Sequence, residues 1–124
     1  MSSNPITVTY YYTDEDLKDI LITALEGGIG YWACLDNTEG VWSEQPENMP
    51  TSEYAWKILY DCGTLHFTDE EDDDEEYALN LADFFKGIGL AIKNKDWDGD
   101  MDNVDACVAD MIMQYAMIGS VVYG

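Results

Sequence analysis

The sequence predicts an α+β domain: a small antiparallel sheet with three to four helices packed on one face. Three observations carry that prediction. Short runs rich in β-branched and aromatic residues stand at 6–12 and 64–68. Apolar residues recur at helical spacing in longer segments near 13–26, 81–93 and 104–118. Glycine- and proline-bearing breaks separate these segments, and no internal repeat or second apolar block appears. A chain of 124 residues suits one domain spanning 1–124, and an apolar content of 47% excludes a disordered chain.

The elements follow in order. Ile6, Val8, Tyr10 and Tyr12 alternate with Thr7, Thr9 and Tyr11, which reads as a strand. Thr13 then caps a helix whose first turn holds Asp14, Glu15 and Asp16; anions there complement the helix dipole, and Thr13 with Asp16 approximates a capping box. Leu17, Ile20, Leu21, Ala24 and Leu25 give this helix an apolar face, and Gly27 and Gly28 are expected to end it. A short extended piece at 31–35 enters the core, and 36–40 reads as a turn. Residues 44–50, with Pro46 and Pro50, form a surface loop, and Ser52 is expected to cap a short helix that Gly63 ends.

The run of eight acids at 69–76 then separates the strand at 64–68 from Tyr77-Ala78-Leu79, the pattern of a hairpin with a charged turn. The helix at 81–93 carries Gly87 and Gly89 in its interior, each costing about 1 kcal/mol relative to Ala, and Gly there suits close contact with a neighbour. Residues 94–103 form a polar loop. The last helix at 104–118 ends at Gly119, leaving a tail able to pack.

Charge is the outlier. Twenty-six Asp and Glu oppose five Lys and no Arg, a formal net charge of −21. Such a field repels nucleic acid and anionic membranes and attracts basic surfaces or cations. One explanation is solubility or a salt-rich host. The other is that the charge is the working surface, copying the phosphate row of a nucleic acid to occupy a basic cleft. On that second reading the partner is contacted by Asp69, Glu70, Glu71, Asp72, Asp73, Asp74, Glu75 and Glu76 of the hairpin and by Asp96, Asp98, Asp100 and Asp102 of the later loop.

The chemistry-bearing motifs are mostly exclusions. No GxSxG, P-loop, HExxH or Cys/His metal set occurs, so no catalytic residue, cofactor or metal ligand is assigned and the chain is expected not to be an enzyme. The alternating acids at 96–102 suggest calcium, but the EF-hand template fails: counting from Asp96, Met101 stands where Gly is required and Cys107 where Glu is. His66 is the sole histidine and has no nucleophile spaced to use it. Cys34, Cys62 and Cys107 form no CxxC and are expected to be buried apolar thiols in a reducing compartment. The first residues lack a positive n-region and an apolar h-region, and no apolar run reaches the ~18 residues of a membrane span. A cytoplasmic protein without membrane contact is therefore expected. One constellation remains: Glu26, Gly27, Gly28, Tyr31 and Trp32, a carboxylate and two aromatics beside a glycine bend. It reads either as a packing corner or as a corner for a flat or basic ligand.

Residues 24–33, reading Ala-Leu-Glu-Gly-Gly-Ile-Gly-Tyr-Trp-Ala, resemble the A-[FL]-E-G-G-x-x-Y-W signature of small proteins carried by phages and other mobile elements of bacteria. Ser52-Glu53, Cys62-Gly63-Thr64-Leu65 with the acids after it, and the segment from Asp83 to Gly87 are similar to later stretches of that family. Asp105-Ala106, Gln114-Tyr115-Ala116, Gly119 and 121–124 resemble its D-A-x-x-A-D-x-I-x-Q-Y-A-x-F-G-x-x-V-Y-G close, with Ile118 in place of Phe. The family is largely uncharacterised. By analogy with small acidic phage proteins, the resemblance implies a counter-defence inhibitor, such as an anti-CRISPR protein that mimics DNA, acting inside a bacterial host. The alternative it leaves open is a phage accessory protein that binds a small molecule at the glycine corner.

Overall fold

The computed structural model describes residues 3–38, 40–72 and 74–124. Glu39, part of the expected turn at 36–40, and Asp73, part of the expected acidic contact, lie outside them. The architecture is α+β, with α1 (Asp14–Thr23), β1 (Ala33–Leu35), α2 (Thr51–Tyr60), β2 (Leu65–Asp69), β3 (Glu76–Leu79), α3 (Leu81–Lys93) and α4 (Ala106–Met117). Single 3-10 turns stand at Gly40–Glu44 and Met101–Asn103. The strands form one antiparallel sheet in the order β1-β2-β3, with Leu35 opposite Phe67 and Leu65 opposite Leu79. Helices pack against this sheet, and α3 with α4 makes the most extensive element contact. No helix among the described residues is long and apolar enough to cross a membrane.

The helices begin where side chains can satisfy their first N–H groups. Thr13 and Asp16 form a reciprocal capping box on α1, Asn80 accepts from the Asp83 amide at α3, and Asp105 accepts from the Val108 amide at α4. The apolar faces of these helices and alternate strand residues meet in one core around Ile20, Leu21, Leu59, Leu65, Phe67, Leu79, Phe84, Ile112 and Met113, all buried. The loop at 94–103 is less polar in practice than its composition: Trp97 is buried, and its indole N–H donates to the Asp100 carbonyl at 2.9 Å.

Several sequence expectations are corrected. Residues 6–12 form no strand. The sheet lies elsewhere, and this segment instead crosses α1 and α3, held at one end by the Tyr12 hydroxyl on the Gly99 carbonyl (2.6 Å) and by Tyr12 stacked on Trp97. The helical run does stop at Gly28, as the glycines led one to expect, but its last turn is not α-helical. It widens into a π-helical turn, Ala24–Gly28, closed by Ile29 N–H on the Ala24 carbonyl. Gly28 is placed by packing: a Cβ there would stand 3.0 Å from the Ala106 carbonyl oxygen.

Pro50, not Ser52, stands at the start of α2, and the Ser52 hydroxyl turns to Glu26 at 3.3 Å. α2 ends at Tyr60, after which Cys62 takes φ +67° and Gly63 donates to the Ile58 carbonyl. All three cysteines are exposed rather than buried. Cys34 points to the open side of β1 between buried Ala33 and half-buried Leu35, and Cys62 sits in the left-handed turn after α2.

The two glycines inside α3 are opposites. A Cβ on Gly87 would stand 2.5 Å from the Ile112 carbonyl oxygen and 2.8 Å from the Ala116 nitrogen, backbone atoms that cannot yield without parting α3 from α4. Gly89 faces open space. Gly87→Ala is therefore expected to destabilise by roughly 1–3 kcal/mol through overpacking. Gly89→Ala is expected to stabilise by roughly 0.5–1 kcal/mol through helix propensity. Urea unfolding of the two variants checks the opposite signs.

Candidate functional site

The two aromatics of the glycine corner meet a carboxylate, but not the one beside them in sequence. Asp110, on the inner face of α4, is only 8% exposed. Its Oδ1 accepts from the Trp32 indole N–H at 2.7 Å and from the Gln114 side-chain amide at 2.9 Å. Its Oδ2 accepts from the Tyr31 hydroxyl at 2.5 Å. The structure thus brings Gly28, Tyr31 and Trp32 onto α4. Glu26 stands apart, bonded to Ser52 and bordering a separate depression with Leu25, Asn37 and Thr51.

Gln114, fully buried, extends the network to the C-terminal tail. Its carbonyl oxygen accepts from the Val122 and Tyr123 amides, each at 2.8 Å, and its amide also donates to the Tyr123 carbonyl at 3.2 Å. One side chain therefore holds the tail as a neighbouring strand would. The Tyr123 ring then stacks on Trp32, with centroids 5.0 Å apart and planes within 11°. Its hydroxyl reaches Asp69 Oδ2 at 2.8 Å, and Tyr77 donates to the same oxygen at 3.2 Å.

Asp69 departs from the expectation that every acid of the run faces solvent. It is buried, and its other oxygen accepts the Glu71 amide at 2.8 Å and the Asp72 amide at 3.2 Å. The Glu71 amide first, and the Tyr123 hydroxyl next, hold its carboxyl below the usual range. Desolvation first, and the bond to Asp110 second, push the Tyr31 hydroxyl up to about 12. Although the Tyr31 residue is 52% exposed, its oxygen end is turned onto the buried carboxylate. The Tyr123 hydroxyl, shared with Tyr77 and then Asp69, is pushed up as well.

Outside this network lies a shallow groove of about 480 Å³, lined by Gly27, Gly28, Tyr31, Asp110, Met111 and Val121 among others. Its wall is mainly apolar. The carboxylate at its edge carries three hydrogen bonds of the four its lone pairs can accept, with the open place on Oδ2. Residues from 27–31 and from 106–124, some eighty positions apart in the sequence, line this one groove.

The remaining acids fall into two kinds. Several aspartates accept amides of their own loops: Asp72 takes the Asp74 N–H, Asp98 the Asp100 N–H, and Asp100 the Asp102 N–H. Asp98 also accepts from the Asn103 side chain, and Asp96 is half-buried under the Tyr115 hydroxyl. By contrast, the side chains of exposed Glu70, Glu71, Asp74, Glu75, Glu76 and Asp102 accept no hydrogen bond among the described residues. Among the described residues one ion pair occurs, Lys18 with Glu53 at 3.5 Å. No hydrogen bond joins the hairpin acids to the loop at 96–102, and no group of three metal-ligating side chains is assembled among the described residues.

The sequence reading missed Asp110, Gln114 and Tyr123. A signal did exist: Asp110 and Gln114 lie four apart within the helix-spaced apolar pattern of α4, where a charge and an amide on the core face call for buried partners.

Asp110→Ala strands the Trp32 indole N–H and is expected to cost roughly 2–4 kcal/mol, against about 1 kcal/mol for Tyr31→Phe, in urea unfolding. Tyr31 also sets a pH dependence. Its folded pKa lies above the unfolded value near 10, so its contribution to stability is full below pH 10 and is lost as pH rises toward 12. Tyr31→Phe is expected to flatten that alkaline loss and to remove one late-titrating phenol from the ultraviolet titration.

Compared with known proteins, the chain matches no family model, no curated protein and no solved structure.

Proposed function

We propose that this protein is a phage- or mobile-element-encoded inhibitor of a host defence protein, acting in the bacterial cytoplasm as an acidic mimic of nucleic acid. It works by binding, not catalysis. Its partner carries a basic nucleic-acid cleft, as CRISPR effectors do. The observation that carries this reading is the set of idle carboxylates on the hairpin. Glu70, Glu71, Asp74, Glu75 and Glu76 are exposed and, among the described residues, accept no hydrogen bond and have no ion-pair partner. Fold stability gives no reason to gather them, whereas a basic cleft is complementary to such a surface.

The test compares wild type with a variant carrying Glu70→Gln, Glu71→Gln, Glu75→Gln and Glu76→Gln, which leaves the backbone-capping aspartates in place. Capture of host proteins is run at about 50 mM and 500 mM salt, where screening differs several-fold. Wild type is expected to hold a nucleic-acid-binding protein at low salt and release it at high salt, and the variant to hold it at least tenfold more weakly with unchanged circular dichroism. Capture indifferent to both salt and variant defeats the reading.

A second reading is favoured by the groove beside Asp110: a small-molecule-binding accessory protein. Its volume falls in the range of ligand sites. The open acceptor place on Asp110, in a chain of charge −21, suits a compound with an apolar body and an ammonium group. A Cβ on Gly27 would stand in ordinary contact, 4.0 Å from the Ala106 Cβ, so Gly27→Trp is accepted by the backbone and obstructs the groove. Tyramine is expected to raise the melting temperature of wild type but not of Gly27→Trp, and the matching neutral alcohol to raise neither. Equal responses of both proteins to tyramine mark general cation binding and dismiss the groove.

A further inference from the structure

The N-terminal segment is the least explained surface of this molecule. Residues 3–12 run without helix, turn or bend, and among the described residues none of their backbone groups bonds to another backbone group. Yet 6–12 has the strongest strand composition in the chain, and its large side chains face solvent: Ile6 is 84% exposed, Val8 67% and Tyr11 89%. Half-exposed Phe85 of α3 adjoins them, across a groove of about 570 Å³ lined by Val8, Tyr10, Leu17, Phe85, Ile88 and Ile92. The Tyr12 anchor on Gly99 and Trp97 fixes one end of the segment and leaves its backbone edge open.

We propose that this segment pairs antiparallel with the same segment of a second copy, forming a two-fold homodimer whose protruding Ile6 and Val8 enter the groove of the facing copy. An unpaired strand edge is a template for another strand, and a two-fold interface requires one patch to be complementary to itself. A protruding apolar strand beside an apolar groove meets that requirement.

Charge selects the occupant. Residues 1–13 carry no charged side chain, whereas 31 of the other 111 residues do. Two copies of charge −21 repel over most of their surface, and this neutral stretch is where they can approach. A basic partner drawn by the acids finds a single acid on the groove wall, Asp14, against the clustered carboxylates of the hairpin. A standard interface takes ~800 Å² from each partner. Four side chains as exposed as Ile6, Val8, Tyr11 and Phe85, together with the strand backbone, supply area of that order.

Sedimentation velocity on the full chain tests this, over about 5 μM to 500 μM protein and from 20 mM to 500 mM salt. A dimer is expected, tightening at least tenfold as salt screens the repulsion. Ile6→Asp with Val8→Asp, and separately Phe85→Asp on the groove wall, are each expected to weaken dimerisation at least tenfold. Circular dichroism of both is expected to remain that of wild type. Thr7→Pro and Val8→Pro, made one at a time, remove neighbouring N–H donors that point to opposite sides, and one of the two is expected to weaken the dimer as strongly. A monomer at 500 μM in high salt overturns the proposal. So does a dimer that survives both sets of aspartate substitutions, because the contact then lies elsewhere, or one that loosens as salt rises.

Discussion

The buried Asp110 carboxylate is the point on which the two ends of this fold depend. A carboxylate out of water must be surrounded by donors, and none of those it receives here carries a charge. The Trp32 indole, the Gln114 amide and the Tyr31 hydroxyl each come from a segment that must be in place before the bond can form. The constraint therefore works outward. It fixes the segment after the π-helical turn against α4, and through Gln114 it fixes the tail. Through Tyr123 the tail reaches Asp69 at the base of the hairpin. Removing the carboxylate would leave the tail without its best-anchored partner and the Trp32 ring without its stacked cover.

That dependence explains features with no local cause. Gly28 is not needed for an unusual backbone angle; it is needed because α4 passes too close for a Cβ. The helix widens before it stops at Gly28, and Ile29 and Trp32 then turn into the core while Tyr31 stays over Asp110. Gly87 repeats the same logic on the other side of α4, where α3 lies against the Ile112 carbonyl. The last helix is thus gripped from two sides by glycine contacts, with its one carboxylate turned inward between them.

What the sequence made legible was local. The α1 capping box, the span of α3 and the hairpin between β2 and β3 follow from residues within a few positions of one another, and these came out as expected. The misreadings were about partners far away in the chain. Residues 6–12 have strand chemistry, but a strand exists only where it pairs, and the sheet closes with β1 and β3 at its edges without them. The corner was read with Glu26 as its acid because Glu26 is adjacent; the acid that Trp32 bonds lies 78 positions on. The cysteines were assigned by the habits of their residue type, and that prior fails where the chain puts them on the open side of a strand or in a turn.

The distribution of charge sharpens the functional question more than its total does. An aspartate is short enough to bond the amide two residues on, so acidic loops rich in Asp are partly a device for folding tight turns, and Asp36, Asp69, Asp72, Asp98 and Asp100 serve in that way. A glutamate is too long for this role. The glutamates at 70, 71, 75 and 76 gather at one hairpin and, among the described residues, accept no hydrogen bond and form no ion pair, so nothing described there offsets their mutual repulsion. Turn chemistry accounts for the aspartates, and solubility is served by charges placed anywhere. Neither accounts for glutamates placed together. The residues most informative about an external partner are therefore those that the fold itself does not use.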